Sequence, residues 1–494
     1  MSFRPTRTAL SLASMGAALA VGSLAGAPSS VSAATKKASA KKVTSTTTRT
    51  TNTAQSAKRN VLFVLADDLG VDASPCYPAY GSAKPVMPTL EQLCRDGVVF
   101  DNMTASPVCS PSRAAVLTGR YGFRTNVGNV DDELSADETT VQDVLANAPT
   151  PYVNAVIGKW HLGGAQPDPT QPERLGVQYF DGFLRAQVQD YSNWPRVTQG
   201  QTSTSTTYTT TAFTDSAIAW TSKQTRPWFL WLAYNAPHVP FHRPPVSLVP
   251  DPSLTGAADD IAQNPQKYYF AALTALDKEL GRLLASMPAA TRQHTAVMFM
   301  GDNGTPSRVA QAPFSADTSK GTVNEGGVHV PLIVAGAGVT QKGTRNASLL
   351  NGVDLFPTIA DIAGAKVPVA IDGVSFAGAF ATPGFSGSRM YAYSEIFTGT
   401  KRAGVAARPA AGAGGRPARP GAPAAGGGGG TSTAGVDQWA VRDDRYKLVH
   451  DVPTGDEQVF DLQTDPSESQ PMPTTGPLES VANRLREFVT RLKG

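Results

Sequence analysis

The chain carries little charge for its length, and this shortage argues against proteins that bind polyanions by charge. Only 17% of the 494 residues are charged, and the formal net charge is +3. Part of that small excess comes from lysines and arginines at 36–59, ahead of the first apolar strand. We therefore expect no basic face large enough for nucleic acid, and no nucleic-acid partner.

Long apolar runs are also scarce. The N-terminal apolar stretch, Thr8–Gly26, is short and only moderately apolar for a membrane anchor. It follows Arg4 and Arg7 and precedes Val31-Ser32-Ala33, which is the order of a secretory signal and its cleavage site. We predict a signal peptide at 1–33, a secreted or periplasmic location, and no membrane span in the mature chain.

Cysteine is the third scarce residue, with three in the chain. No cluster of histidine and cysteine has the spacing of a zinc site. Glycine and proline, by contrast, are plentiful, with 46 and 38 residues. Residues 34–59 are rich in Ser, Thr, Lys and Ala and predict a disordered linker. Residues 403–435 are Ala, Gly, Pro and Arg and predict a flexible insertion.

Between these segments, short apolar runs lead into polar residues and alternate with helical segments such as 268–286. This alternation predicts an α/β fold with a large, mostly parallel sheet covered by helices on both faces. We expect the main domain at 60–370 and a smaller C-terminal α+β subdomain at 371–494. Four apolar runs are the predicted central strands: Val61–Ala66, Val153–Ile157, Trp228–Tyr234 and Ala296–Met300. Ligands of such sheets bind beyond the carboxyl ends of the strands.

The most informative segment is Cys109–Arg120, with the sequence CSPSRAAVLTGR. Ser110 suits a helix N-cap and Pro111 the first helical position, while Gly119 suits the C-terminal stop. Cys109 would then lie where the helix N-terminus attracts an anion, and Arg113 would reach the same place. A buried core thiol is the plain alternative. A thiol phosphatase is disfavoured, because its loop has five residues between Cys and Arg and this chain has three.

Oxygen ligands follow two of the predicted strands. Asp67 and Asp68 come after the first run, and Asp302 and Asn303 come after the fourth. Each pair alone would be a turn cap. Together they form an oxygen-rich set that suits Ca²⁺ or Mg²⁺ better than zinc.

Cationic and titratable residues follow the other strands. Lys159 and His161 are two apart, so they point to one side if the chain stays extended. His238 follows the third run, and Lys320 precedes a glycine-rich turn. Taken singly, these would be a core histidine or a solvated lysine. Aromatic residues of a nearby loop, among them Tyr191, would stack on a substrate ring or pack as loop anchors, and packing is favoured.

These segments resemble the motifs of the sulfatase family in the family's order. The Cys109–Arg120 string resembles the family signature, and the other matches run from Asn60 to Asp361, with a weaker likeness at 442–468. They are Asp67-Asp68, Gly158–Gly163, Ala236–His238, Asp302–Gly304 and Ser319–Pro331. The resemblance implies an alkaline phosphatase-like fold and a formylglycine-dependent, arylsulfatase-like sulfuric ester hydrolase.

The resemblance also implies roles. Cys109 would be oxidised to formylglycine, whose hydrated aldehyde attacks sulfur, and would lie beside the metal ion. Arg113 and Lys159 would steady the hydrate, and His161 would bond one of its hydroxyls. Lys320 and His238 would bind the sulfate ester, with His238 protonating the leaving oxygen. The ligands of one Ca²⁺, or Mg²⁺, would be Asp67, Asp68, Asp302 and Asn303.

The implied partners are a sulfated small molecule or sulfated carbohydrate as substrate and a formylglycine-generating or sulfatase-maturing enzyme. With Cys109 modified, Cys76 and Cys94 are either a disulfide or two unpaired thiols. His329 stands where the family commonly has arginine, and Gly301 where it commonly has serine. Two other functions compete: hydrolysis of phosphonate or phosphate esters, and an inactive protein that binds sulfated glycans. The second is disfavoured because the catalytic set has no gap.

Overall fold

The structure is a computed structural model, and it describes residues 59–398 and 437–494. The predicted signal peptide at 1–33 and the predicted insertion at 403–435 lie outside these residues. So does the predicted linker at 34–59, except for Arg59. Within the described residues, none of the helices has the length and apolar character needed to cross a membrane.

Ten strands form one mixed sheet, in the order β10-β2-β9-β8-β1-β7-β3-β4-β5-β6. The central strands β8, β1, β7, β3 and β4 are all parallel, and β10 is parallel to β2. Strand β9 and the last two strands of the order, β5 and β6, run antiparallel to their neighbours. The strands are β1 Asn60–Ala66, β2 Gly97–Thr104, β3 Val153–Lys159, β4 Phe180–Phe183, β5 Trp194–Thr198, β6 Gln201–Ser205, β7 Trp228–Tyr234, β8 Thr295–Gly301, β9 Leu332–Gly336 and β10 Thr344–Asn351.

Both faces of this sheet are covered, as predicted. Strand β1 shows why, because its side chains alternate between two separate apolar clusters. Val61, Phe63 and Leu65 belong to one cluster, and Leu62 and Val64 to the other. A strand buried on both faces reads as a continuous apolar run, which is the pattern of the four central runs.

Helices supply the two outer layers, and the longest is α8. The α-helices of the described residues are α1 Pro88–Asp96, α2 Cys109–Thr118, α3 Gly122–Thr125, α4 Val141–Ala146, α5 Gln171–Arg174, α6 Thr209–Thr221, α7 Ala258–Gln263, α8 Pro265–Ser286, α9 Ala289–Gln293, α10 Glu325–Val328, α11 Leu355–Ala363 and α12 Glu479–Lys493.

A second, antiparallel sheet of four strands follows, with α12 packed against it. Its strands are β11 Ala392–Ile396, β12 Gln438–Arg442, β13 Tyr446–Asp451 and β14 Glu457–Asp461. The predicted α/β fold with a smaller C-terminal α+β part is therefore confirmed. Cys76 and Cys94, which the sequence left open, form a disulfide.

The start of helix α2 differs from the prediction. The helix begins at Cys109, its N-cap is Val108, and no side chain caps it. The hydroxyl of Ser110 instead donates to the carbonyl of His161, 2.9 Å away, and so ties the helix to the end of β3. Pro111 is tolerated at the third position because its missing N–H is one of the four that a helix start leaves unpaired. Gly119 ends the helix in the left-handed region, as predicted.

Candidate active site

The carboxyl ends of four adjacent parallel strands meet around the first turn of α2. Strands β8, β1, β7 and β3 are neighbours in the sheet, and polar side chains follow each of them. Cys109 lies at this edge, and its side chain is buried. Its Sγ is 3.3 Å from both the Asp67 carboxylate after β1 and the Lys159 ammonium at the end of β3.

Cations and carboxylates alternate around the sulfur. Lys159 Nζ lies 2.6 Å from Asp67 Oδ2. Arg113 is fully buried, and its Nη2 is 2.8 Å from Asp302 Oδ2 and 3.6 Å from Asp67 Oδ1. Its Nη1 donates to the carbonyl of Lys159 at 2.6 Å. The guanidinium thus joins the ends of β1, β3 and β8, which is a geometry that a planar fork of donors allows.

Asp68 is the second centre of the site, and its backbone has φ of 73°. This left-handed conformation is uncommon outside glycine, asparagine and aspartate. It is held by two bonds: the Asp68 N–H donates to Asp302 Oδ1 at 2.9 Å, and the Tyr269 hydroxyl donates to the Asp68 carbonyl at 2.7 Å. The carboxylate then faces Lys320 Nζ at 2.5 Å and His238 Nε2 at 3.7 Å. Lys320 Nζ is also 3.9 Å from Cys109 Sγ.

Two of the four predicted metal ligands, Asp67 and Asp68, belong to a buried group of residues that could hold a metal ion, whereas Asp302 is paired with Arg113 and is not in that group. Ligand atoms of four buried residues lie within 4.8 Å of one another, and these residues are Asp67, Asp68, Cys109 and His238. Asn303 adds an independent sign, because its Oδ1 is buried with no hydrogen-bond partner while its Nδ2 donates to Asp68 at 2.8 Å. A buried acceptor without a donor is costly unless a ligand satisfies it.

His161 lies differently from the prediction. The chain does not stay extended after Lys159, since His161 has φ of 56°. Its Nε2 is 3.0 Å from Asp131 Oδ1, and its Nδ1 is buried without a partner. Burial, and then the charges of Lys159 and Arg113, lower the pKa of His161 to about 3 against the effect of Asp131. Without a ligand, the imidazole is therefore neutral.

Burial and neighbouring charges shift other groups as well. Burial, followed by the charge of Asp67, raises the pKa of the Cys109 thiol well above its usual range. Such a thiol is protonated and is a poor nucleophile in this form. Burial lowers the pKa of His238 to about 3. Burial alone would lower the pKa of Lys320, but Asp68 raises it, so this lysine is charged.

One departure from the family pattern has a steric reason. A Cβ on Gly301 would lie 1.9 Å from the carbonyl oxygen of Leu69. No side chain fits at that distance. The end of β8 therefore requires glycine at position 301 as long as the turn after Asp68 keeps the Leu69 carbonyl in this place. The close approach brings Asp302 and Asn303 beside the Asp67-Asp68 pair.

The ten predicted catalytic and metal-binding residues all lie at this edge of the sheet. They are Asp67, Asp68, Cys109, Arg113, Lys159, His161, His238, Asp302, Asn303 and Lys320. The sequence missed Asp131 and Tyr269, which hold His161 and Asp68 and belong to no motif. Tyr191 is buried, and its hydroxyl lies 2.9 and 2.5 Å from the carbonyl oxygens of Asn235 and His238, which share its one donor hydrogen. Its loop therefore anchors the turn that carries His238, as the favoured packing role predicts.

Comparison with solved structures supports the fold described above. The crystal structure of Ps i-CgsB in complex with k-i-k-neocarrahexaose aligns with a TM-score of 0.69 and 23% identity, covering 88% of this chain and 93% of that one. The fold is the alkaline phosphatase-like fold. The Sulfatase family model matches residues 59–365, and the chain belongs to the sulfatase family.

Curated relatives support the family. Sulfatase YdeN of Escherichia coli (strain K12), itself uncharacterised, is 29% identical over 334 residues, covering 60% of this chain and 57% of that protein. Human arylsulfatase A is 29% identical over 353 residues, covering 64% of this chain and 66% of the relative. The alignments thus span a little over half to about two thirds of these relatives' lengths.

Proposed function

We propose that this protein hydrolyses sulfate monoesters through a formylglycine made from Cys109, with Ca²⁺, or Mg²⁺, bound beside it. The observation that carries the proposal is the position of Cys109 Sγ, 3.3 Å from both Asp67 and Lys159 and 3.9 Å from Lys320. A protonated thiol can donate to Asp67, but its sulfur is only a weak acceptor for the two lysines. An oxidised side chain with two hydroxyls would accept from the cations and donate to the carboxylate.

The metal would be held by Asp67, Asp68, Asp302 and Asn303, and the unpartnered Asn303 Oδ1 supports this set. The ion would offset the negative charge of the sulfate oxygens during attack. The formylglycine would supply a hydrate with one hydroxyl to attack sulfur and a second whose lost proton expels sulfate. Both groups fit the oxygen-rich, cation-lined site.

The chain's own residues then divide the work. Lys159 lies 3.3 Å from Cys109 Sγ and Arg113 lies 3.6 Å from the neighbouring Asp67, and both would hold the hydroxyls and orient them. His161 has a free Nδ1 that would accept a proton from one of them. Lys320 and His238 lie on the Asp68 side and would bind the sulfate oxygens.

His238 is the proposed proton donor to the leaving oxygen. Its Nδ1 faces the carbonyl of Val239 at 2.8 Å, which leaves Nε2 to face the site. A bound sulfate ester would raise the pKa of the imidazole, because a nearby anion favours the protonated form. Substrate binding would therefore favour the protonated form, which donates to the leaving oxygen.

We propose a sulfated small molecule or sulfated carbohydrate as the substrate, and a formylglycine-generating or sulfatase-maturing enzyme as the partner that converts Cys109. The Ps i-CgsB complex supports a carbohydrate, because a neocarrahexaose is bound there to a protein of the same fold. We further propose that the protein works after secretion or in the periplasm. The Cys76–Cys94 disulfide supports this location, because disulfides persist in oxidising compartments.

Mass spectrometry of the peptide that contains Cys109, combined with rates on matched aryl esters, tests the proposal. Protein co-expressed with a maturing enzyme should carry the aldehyde in place of the thiol. It should hydrolyse an aryl sulfate faster than the matching phosphate or phosphonate. The Cys109→Ala variant, which removes the nucleophile, should lose at least ~10³-fold in kcat and keep its fold.

Two results would overturn the proposal. Fully active protein with an intact cysteine would exclude the formylglycine mechanism. Faster hydrolysis of the phosphonate or phosphate ester would assign a different reaction to the same site.

A further inference from the structure

A second buried cluster of charges lies between the main sheet and the C-terminal sheet. We call it the Glu325 cluster, and its members are Glu325, Arg442, Lys447 and Glu468, all of them buried. Glu325 is paired with Arg442 at 2.7 Å and with Lys447 at 3.0 Å. Lys447 is also paired with Glu468 at 2.9 Å, and the Glu325 N–H donates to Glu468.

The cluster is electrically balanced, with two carboxylates and two cations. Its neighbour His329 preserves the balance, because burial lowers the pKa of this imidazole and keeps it neutral. His329 Nε2 donates to the carbonyl of Asp101 at 2.7 Å, and its Nδ1 lies 3.7 Å from Glu325. An arginine at position 329 would add a third cation to two carboxylates. The neutral His329 avoids this excess, because Arg442 already supplies a positive charge there.

The cluster connects particular elements. Glu325 begins α10, Arg442 ends β12, and Lys447 lies in β13. Breaking such a buried pair leaves an uncompensated charge, so the pairs hold α10 firmly against the C-terminal sheet. The position of α10 relative to β12 and β13 is therefore set.

Helix α10 is in turn packed tightly on the turn that carries Lys320. A Cβ on Gly327 would lie 2.1 Å from the carbonyl oxygen of Thr322 and 2.7 Å from that of Ser319. The Lys320 N–H donates to Thr305 at 3.1 Å. With no space between α10 and this turn, a shift of Glu325 moves the backbone of Lys320.

An apolar contact adds a second connection. Val108 and Val323 share one buried cluster with side chains of the C-terminal sheet: Ile396, Ala440, Val449 and Phe460. Val108 precedes Cys109, and Val323 lies three residues after Lys320. The C-terminal sheet therefore contacts the chain on both sides of the site, next to the nucleophile and next to the sulfate-binding lysine.

We infer that Glu325 is a positioning residue. Its ion pairs with Arg442 and Lys447 connect α10 to the C-terminal sheet, and this connection fixes the position of Lys320 relative to Cys109. The inference rests on the proposed role of Lys320 in binding the sulfate ester. None of the four residues of the cluster need touch the substrate.

A double-mutant cycle between Lys447 and Lys320 tests the inference, using the matured full chain and an aryl sulfate. Lys447→Met should lower kcat/KM at least ~10-fold and weaken inhibition by inorganic sulfate. If the cluster acts through Lys320, Lys447→Met in a Lys320→Ala background should lower kcat/KM by less than ~3-fold, because the lysine that the cluster positions is absent.

The matched control is Arg445→Met on the same sheet. Arg445 pairs with Asp461 at 2.7 Å at the surface and is no part of the Glu325 cluster, so activity should stay within ~2-fold. If Lys447→Met does not fold, Arg442→Lys, which keeps the charge and loses the fork, goes through the same cycle. Equal losses in both backgrounds would overturn the inference. The single Lys320→Ala variant tests the proposed function separately, since retained full activity there contradicts the role of Lys320.

Discussion

The two buried charge clusters of this protein contain similar groups and differ in how completely those groups are paired. Around Cys109, the buried Arg113 Nε, His161 Nδ1 and Asn303 Oδ1 have no hydrogen-bond partner. In the Glu325 cluster, one buried atom, Glu468 Oε1, also lacks a hydrogen bond, but it lies 2.9 Å from Lys447 Nζ, and each carboxylate faces a cation within 3.0 Å. Unsatisfied buried polar atoms cost stability and persist where a ligand satisfies them. The proposed metal ion and substrate would satisfy atoms of the first cluster, whereas the second cluster joins two parts of the fold.

The largest expected effects are a loss of stability in a variant of the Glu325 cluster and a loss of activity in a variant of the Cys109 cluster. Arg442→Met should lower the free energy of unfolding by ~3–5 kcal/mol, because it leaves Glu325 with one cation fewer in a buried site. His238→Asn should lower kcat on an aryl sulfate by ~10²-fold or more, with a change in stability of ~1 kcal/mol. Urea unfolding and steady-state kinetics on both variants measure the two effects. A His238→Asn variant that is as unstable as Arg442→Met would break the distinction between the clusters.

A divalent cation should stabilise one cluster and leave the other unaffected. At a Ca²⁺ concentration about 100 times its Kd, the free energy of unfolding should rise by ~2.7 kcal/mol. Asn303→Ala removes the unpartnered oxygen, so the gain should fall, whereas Arg442→Met should keep it. Thermal unfolding with Ca²⁺ and with a chelator gives the measurement. An equal gain in wild type and Asn303→Ala would exclude Asn303 as a ligand.

The smallest expected effect is a pH dependence of the Glu325 cluster. Burial alone would raise the pKa of Glu325, but Arg442 and Lys447 lower it well below its usual range. A carboxyl with a depressed pKa stabilises the fold above its unfolded pKa of about 4.3 and loses that contribution as the pH falls further. The stability difference between wild type and Glu325→Gln should therefore be constant from pH 7 to pH 5 and shrink below about pH 4. Denaturant unfolding between pH 7 and pH 3 tests this, and a difference that stays constant throughout would contradict it.

The sequence predicted the central strands and the residues that follow them, because a strand buried on both faces is a continuous apolar run. The predicted Trp228–Tyr234 run is β7 itself, and the predicted Val61–Ala66 run lacks only the first residue of β1. The helix start was wrong by a small margin, because the Ser110 hydroxyl has a tertiary partner in His161. A local capping rule cannot include a partner 51 residues away.

The Glu325 cluster was beyond prediction for the same reason. Glu325 and Lys447 are 122 residues apart, and each alone resembles a solvated charge. Asp131 and Tyr269 likewise belong to no motif. Asp131 is hydrogen-bonded to the His161 imidazole and Tyr269 to the Asp68 carbonyl, and both contacts form only in the folded chain.

The sequence by itself determined the family and the four strand ends that surround Cys109. These properties reside in short segments, in which residue type and spacing are sufficient. The tertiary structure alone decided the left-handed turns at Asp68 and His161, the unpartnered oxygen of Asn303 and the connection between the C-terminal sheet and Lys320. Those properties depend on distances between segments far apart in the chain, and only packing sets such distances.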